Sequence, residues 1–160
     1  MRNIFFYFFI FLTTYSFAQE IHFKEIKYIF ALDSEFSKQG SLKIDDKKIQ
    51  LKYQGDSKSV LFDPESISFI TKENKEIFTH EEQQEYTIFF SLVQGVFNND
   101  IKKLQENFTL KIQKEENLLI PNEYLSSIIE KIVYKKDKEK LVYLHIYFLN
   151  QDKIKIVQLD

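Results

Sequence analysis

Residues 86–97 read Tyr86-Thr87-Ile88-Phe89-Phe90-Ser91-Leu92-Val93-Gln94-Gly95-Val96-Phe97. Tyr86, Phe89, Phe90, Val93 and Phe97 recur at helical spacing, so a helix places them on one face. Ile88, Leu92 and Val96 form a second apolar row, and nothing in the stretch is charged. The polar residues make one narrow stripe, Thr87, Ser91 and Gln94. A helix that is apolar around most of its circumference must be covered on more than one side. Just upstream, Thr79 and Glu82 have capping-box spacing. Downstream, Asn98-Asn99 interrupts the run, and a short second helix is expected over Asp100 to Glu106.

On both sides of this insert the apolar period changes to two, the period of strands. Upstream come Ile21, Phe23, Ile26, Tyr28 and Phe30, with a phase slip near Lys24-Glu25 that suggests a β-bulge. Then follow Leu42 and Ile44; Ile49, Leu51 and Tyr53; Val60 to Phe62; Ile67 and Phe69; Ile77 and Phe78. Polar turns separate them, among them Asp63-Pro64-Glu65-Ser66, where proline presets the backbone of the first central position. Downstream come Phe108, Leu110 and Ile112, then Leu118 to Ile120, then a closing meander over Ile128–Tyr134, Val142–Phe148 and Ile154–Ile156. The expected fold is mainly β with a helical insert. It is a curved antiparallel sheet or half-open β-barrel of about eleven strands closed over one to three helices.

The first residues read as an export signal. Arg2 precedes the unbroken apolar run Ile4 to Leu12, and Ser16-Phe17-Ala18 sets small residues at the positions a signal peptidase requires. The run is shorter than the roughly 20 residues a membrane-spanning helix needs. The expected organisation is a signal peptide over 1–18 and a single β-barrel domain over 19–160, with the mature chain in the periplasm. With no cysteine in the 160 residues, thiol catalysis, cysteine metal sites and an N-terminal lipid anchor are excluded. The net charge of −2 becomes −3 once Arg2 is removed, which gives no case for nucleic acid as a partner.

Signatures of catalysis are missing. His80-Glu81-Glu82-Gln83-Gln84 resembles the start of a zinc helix, but Gln84 stands where the second histidine is needed. His22 and His145 are isolated on alternating strands. Gly40, Gly55 and Gly95 are too scattered for a nucleophile elbow or a phosphate loop. Asp45-Asp46 and Glu115-Glu116 fall in turns, where neighbouring side chains diverge. No enzyme activity, metal or cofactor is expected.

Three stretches carry a family resemblance. Phe23 to Tyr28, followed by Leu32-Asp33-Ser34-Glu35-Phe36-Ser37-Lys38-Gln39-Gly40-Ser41-Leu42-Lys43-Ile44, resembles the opening of LolA-like proteins, the periplasmic carriers of outer-membrane lipoproteins and their relatives. Phe89 to Phe97, continued by Asp100 to Phe108, is similar to their helical segment, and Leu119-Ile120-Pro121 with three further strands is similar to their closing meander. The resemblance implies an apolar cavity for acyl chains, an inner-membrane exporter and an outer-membrane receptor as partners, and a soluble carrier, since the receptor is itself anchored through a cysteine. Two features depart from the pattern: only Gln19 and Glu20 stand before the first strand, and no arginine follows Arg2. A relative serving another lipid or glycolipid, and a β scaffold with no ligand, remain open beside the lipoprotein carrier.

The candidate lipid-binding residues are Phe69, Tyr86, Phe89, Phe90, Leu92, Val93, Val96 and Phe97. One helical row is expected to pack permanently and the other to line the cavity. The protein is expected to be a monomer that binds lipoprotein acyl chains or another amphiphile. Export predicts a mature chain beginning at Gln19. Intact-mass measurement of the exported protein checks this, and a retained Met1 would refute it.

Overall fold

The computed structural model describes residues 19–45 and 47–159. The expected signal, 1–18, lies outside the described residues. Eleven antiparallel strands form one sheet: β1 Gln19–Ile29, β2 Ser34–Ile44, β3 Ile49–Tyr53, β4 Ser59–Phe62, β5 Ile67–Ile70, β6 Lys75–Phe78, β7 Phe108–Ile112, β8 Asn117–Pro121, β9 Ile129–Asp137, β10 Lys140–Phe148 and β11 Lys153–Gln158. Their spatial order is β6-β5-β4-β3-β2-β1-β11-β10-β9-β8-β7. Two meanders of consecutive hairpins are thus joined by the β1–β11 pair, and β6 and β7 are the free edges. The chain between those two edges is helical, α1 Gln84–Phe97 and α2 Ile101–Gln105. This is the sheet-and-helix architecture that the alternating runs around residues 86–97 predict.

The helix reaches both wings of the sheet, which therefore curves around it. Phe90 stacks on Phe62 of β4 at 5.1 Å, and Tyr86 meets Phe69 of β5 edge-on at 5.1 Å. From the other wing, the Lys136 ammonium on β9 donates to the carbonyls of Val96 (3.0 Å) and Phe97 (3.3 Å) and to Asn99 Oδ1 (2.9 Å). A cation on the last turn satisfies carbonyls with no intrahelical partner and complements the negative end of the helix dipole. Partial burial holds the Lys136 pKa below the ordinary lysine range, with Glu139 opposing that shift. At the other end, Thr79 and Glu82 exchange reciprocal bonds, Thr79 N–H to Glu82 Oε2 (2.8 Å) and Glu82 N–H to Thr79 Oγ1 (3.3 Å). This capping box closes the turn that leads into α1.

Strand β1 carries no bulge, contrary to the reading of its phase slip. Its register with β2 runs unbroken from Gln19↔Ile44 to Ile29↔Ser34. Ile21 and Phe23 are buried on the inner face. Glu25 and Lys27 then occupy that same face, while Ile26 and Tyr28 lie on the outer one. What changes at Lys24-Glu25 is the environment of the inner face, not the backbone. The register shifts occur instead between β9 and β10, at Leu141/Tyr143 and Tyr147/Phe148.

Two glycines sit where side chains cross close to the backbone. A Cβ on Gly40 would lie 2.8 Å from both the Phe23 ring and the Lys52 carbonyl. A Cβ on Gly95 would fall on Leu104 Cγ and Cδ2, inside contact distance. Leu104 is only 2 % exposed, so it has nowhere to retreat. Gly95→Ala is therefore expected to destabilise the fold by about 1–3 kcal/mol through overpacking, despite alanine's better helix propensity. Chemical denaturation measures this; unchanged or increased stability would show that α2 yields freely.

Candidate functional site: an apolar groove under the central helix

The helix is seated unevenly. Phe90, Leu92, Val93, Val96 and Phe97 are buried, whereas Tyr86, Ile88 and Phe89 are only partly covered. Space remains between this N-terminal half and the sheet, in two lobes. The first has a volume of about 350 Å³ and is walled by Leu51, Tyr53, Val60, Tyr86 and Phe89. The second, of about 400 Å³, is walled by Ile88, Leu92, Leu125, Ile129, Ile132 and Phe148. Phe89, Ile146, Ile154 and Glu85 border both lobes, so the Phe89 ring stands as a partition between them.

The walls come from the inner faces of β3, β4, β9, β10 and β11. Alternation brings Ile132, Ile146 and Ile154 side by side across three strands: Ile132 pairs with Ile146, and Ile146 with Ile154. The charged lining residues are Glu25, Lys38, Asp56, Lys58 and Glu85 in the first lobe and Lys27, Glu85 and Asp152 in the second, and all but the half-buried Glu25 and Asp152 are exposed. The slip in β1 marks the rim of the groove, because Glu25 and Lys27 stand where the inner face leaves the core and meets the groove.

Three polar or charged contacts hold aromatic rings beside the groove. The Tyr53 hydroxyl donates to Glu25 Oε2 at 2.6 Å. Burial first, then the Glu25 carboxylate, raises the Tyr53 pKa far above the usual phenol range, so the hydroxyl remains a donor. Lys58 Nζ lies 4.0 Å from the Phe69 ring centroid and Lys38 Nζ 5.3 Å from that of Tyr53, both cation–π contacts.

Of the eight residues singled out in the sequence, Tyr86, Phe89 and Leu92 line the groove. Phe69 packs between Phe78 and Tyr86 beneath Lys58. Phe90, Val93, Val96 and Phe97 belong to the closed core. The division follows neither row cleanly: Tyr86 and Phe89 of one row and Ile88 and Leu92 of the other line the groove, while Phe90, Val93 and Phe97 of the first and Val96 of the second are core. Sequence reasoning did not reach the isoleucines of β9–β11, because core and cavity walls share the same alternation.

The histidines have structural surroundings. His80 Nε2 lies 2.9 Å from the Asp63 carbonyl, and its ring packs on Phe62. His145 is on the outer face between Tyr143 and Tyr147. Its pKa is held below the usual imidazole range by burial and by Lys155, against a weaker opposing pull from Glu116. Among the described residues, no group of three His, Cys, Asp or Glu side chains could hold a metal ion.

These placements predict a contrast between neighbouring phenylalanines. Phe90→Ala removes a fully buried ring and is expected to cost about 3–5 kcal/mol. Phe89 already borders open space on two sides, so Phe89→Ala is expected to cost about 1–2 kcal/mol. Urea denaturation of the two variants checks this, and equal losses would mean that the groove is closed in solution.

No protein-family model matches the sequence, and no curated protein matches it. Among solved structures, the chain is similar to a LolA superfamily protein from Nitrosomonas europaea, with 5% identity, a TM-score of 0.46, and coverage of 91% of this chain and 85% of that one. It is also similar to a domain named for outer membrane lipoprotein sorting, from Vibrio parahaemolyticus, with 9% identity, a TM-score of 0.41, and coverage of 88% and 83%.

Proposed function

We propose that this chain is an exported carrier that holds the acyl chains of an amphiphile in the groove beneath α1 and shuttles it toward the outer membrane. The supporting observation is the groove itself, two mainly apolar lobes of about 350 and 400 Å³ whose charged lining residues are mostly exposed. Protein interiors close-pack and leave few voids larger than a water molecule. Apolar concavities of this size with a few polar groups at the mouth are the usual form of a ligand site. A methylene fills about the volume of a water molecule, ~30 Å³, so each lobe has room for on the order of a dozen chain carbons.

In this reading residues 1–18 are removed on export, and residues 19–160 work in the periplasm as a single-domain monomer. Lipoprotein acyl chains are the cargo, taken from an inner-membrane exporter and passed to an outer-membrane receptor. The alternative cargo is another lipid or glycolipid, and lipid mass spectrometry of protein purified from the periplasm discriminates between them. The third reading, a scaffold without ligand, requires that the groove bind nothing.

A fluorescent fatty-acid probe tests the central claim. Wild-type protein is expected to bind the probe and to release it when unlabelled fatty acid is added. Ile88→Asp places a carboxylate on the wall of the second lobe, where an apolar chain cannot pair with it. It is expected to weaken binding by about tenfold or more. Wild-type protein that never binds the probe would leave the scaffold reading in possession.

A further inference from the structure

Three loops meet at the end of the sheet where the second lobe opens. They are the 3-10 turn Phe30–Leu32 between β1 and β2, the turn 149–152 between β10 and β11, and the segment leading into β9. Hydrogen bonds tie them together: Phe30 N–H to Asp152 Oδ1 (2.8 Å) and Leu149 N–H to the Ile128 carbonyl (3.0 Å). Each loop presents bare apolar side chains: Phe30 (48 % exposed), Leu32 (63 %), Leu149 (55 %) and Ile128 (54 %). Phe36, 52 % exposed, stands opposite Lys27 in the β1–β2 ladder. Single exposed apolar residues are ordinary, but five gathered around one opening are a patch with a use.

Polar groups around the patch are arranged in a particular way. Two carboxylates turn into the frame: Asp33 accepts the Tyr28 hydroxyl (2.9 Å), and Asp152 accepts the Phe30 amide and the Asn150 side chain (2.9 Å), while Glu35, opposite Tyr28, and Glu130 are exposed. Lysines flank it, with Lys153 over the Tyr28 ring and Lys131, which also pairs with Glu130 at 3.5 Å, over that of Tyr147. Projecting apolar tips bordered by tyrosine and lysine suit a membrane–water interface, where rings sit at headgroup level and ammonium groups reach phosphate.

We propose that this end of the sheet docks on the surface of a phospholipid bilayer. Phe30, Leu32 and Leu149 enter the boundary between headgroups and acyl chains, and Lys153 lies among the phosphates. Ile128 belongs both to the patch and to the wall of the second lobe, so apolar surface continues from the tips into the groove. A bilayer fits better than a protein strand, because the free sheet edges, β6 and β7, are elsewhere. The proposal gives the carrier reading a route for cargo entry, but its test does not depend on cargo.

The test is flotation with vesicles of phosphatidylethanolamine and phosphatidylglycerol. It compares the exported wild-type protein with Phe30→Ser/Leu32→Ser and with Ile112→Ser, which removes an exposed apolar residue on the distant edge strand β7. Wild type and Ile112→Ser are expected to float. The double variant is expected to lose about tenfold or more in vesicle affinity while binding the fatty-acid probe as before. Three results overturn the proposal: wild type that does not float, a double variant that floats as well as wild type, or an Ile112→Ser loss as large as the double variant's. A dimer in gel filtration that the double variant dissolves, without flotation, assigns the patch to a second copy of the chain and also overturns it. Flotation without probe binding leaves the docking surface standing and removes the carrier reading.

Discussion

The stacking of Phe90 on Phe62 determines where α1 crosses the sheet, and the rest of the inner face is arranged around that crossing. An eleven-stranded sheet with one apolar face cannot leave that face in water. Among the described residues, the longest helical stretch runs between its two edge strands. Once Phe90 is seated, the C-terminal half of the helix settles deeply, because Gly95 lets Leu104 approach and Lys136 holds the final carbonyls. The N-terminal half cannot settle equally. Tyr86, Ile88 and Phe89 stay only partly covered there, and they border the groove. Closed core and open groove share one helix under one constraint.

Much of the architecture was legible in the sequence, because a change of apolar period is a local signal. The run from Tyr86 to Phe97 announced a helix covered on several sides, and the flanking alternations announced the strands. The candidate site was legible only in part. Tyr86, Phe89 and Leu92 could be singled out because the helix is distinctive. Ile132, Ile146 and Ile154 could not, because an inward isoleucine looks the same in a sequence whether another side chain or empty space faces it. The Lys24-Glu25 slip was the one visible trace of the rim. It looked like a bulge because an alternation that loses its apolar members resembles one that changes register. Only the unbroken pairing with β2 separates the two.

Lysine serves two purposes on this scaffold. Lys136 holds the helix with a single flexible ammonium that reaches three acceptors on the last turn. Lys38 and Lys58 instead lie over aromatic rings at the groove rim and shield apolar surface without filling the opening. A long stem with a terminal charge suits both tasks, since it can cover carbon while its head stays in water.

The order of the strands has a consequence for how the molecule comes together. Every neighbouring pair in the sheet except one joins consecutive strands, and that exception is β1 with β11. Each meander can therefore assemble from short-range hairpins, while the seam between them closes a loop that spans nearly the whole described chain. Non-local pairing of this kind is slow compared with hairpin formation. Until it is made, the protein is two half-sheets, each with an unsatisfied inner edge and an uncovered apolar face, which is the form most open to wrong pairing with other chains. The weak point of this fold is the interval before its first and last strands meet, a matter of timing more than of final stability.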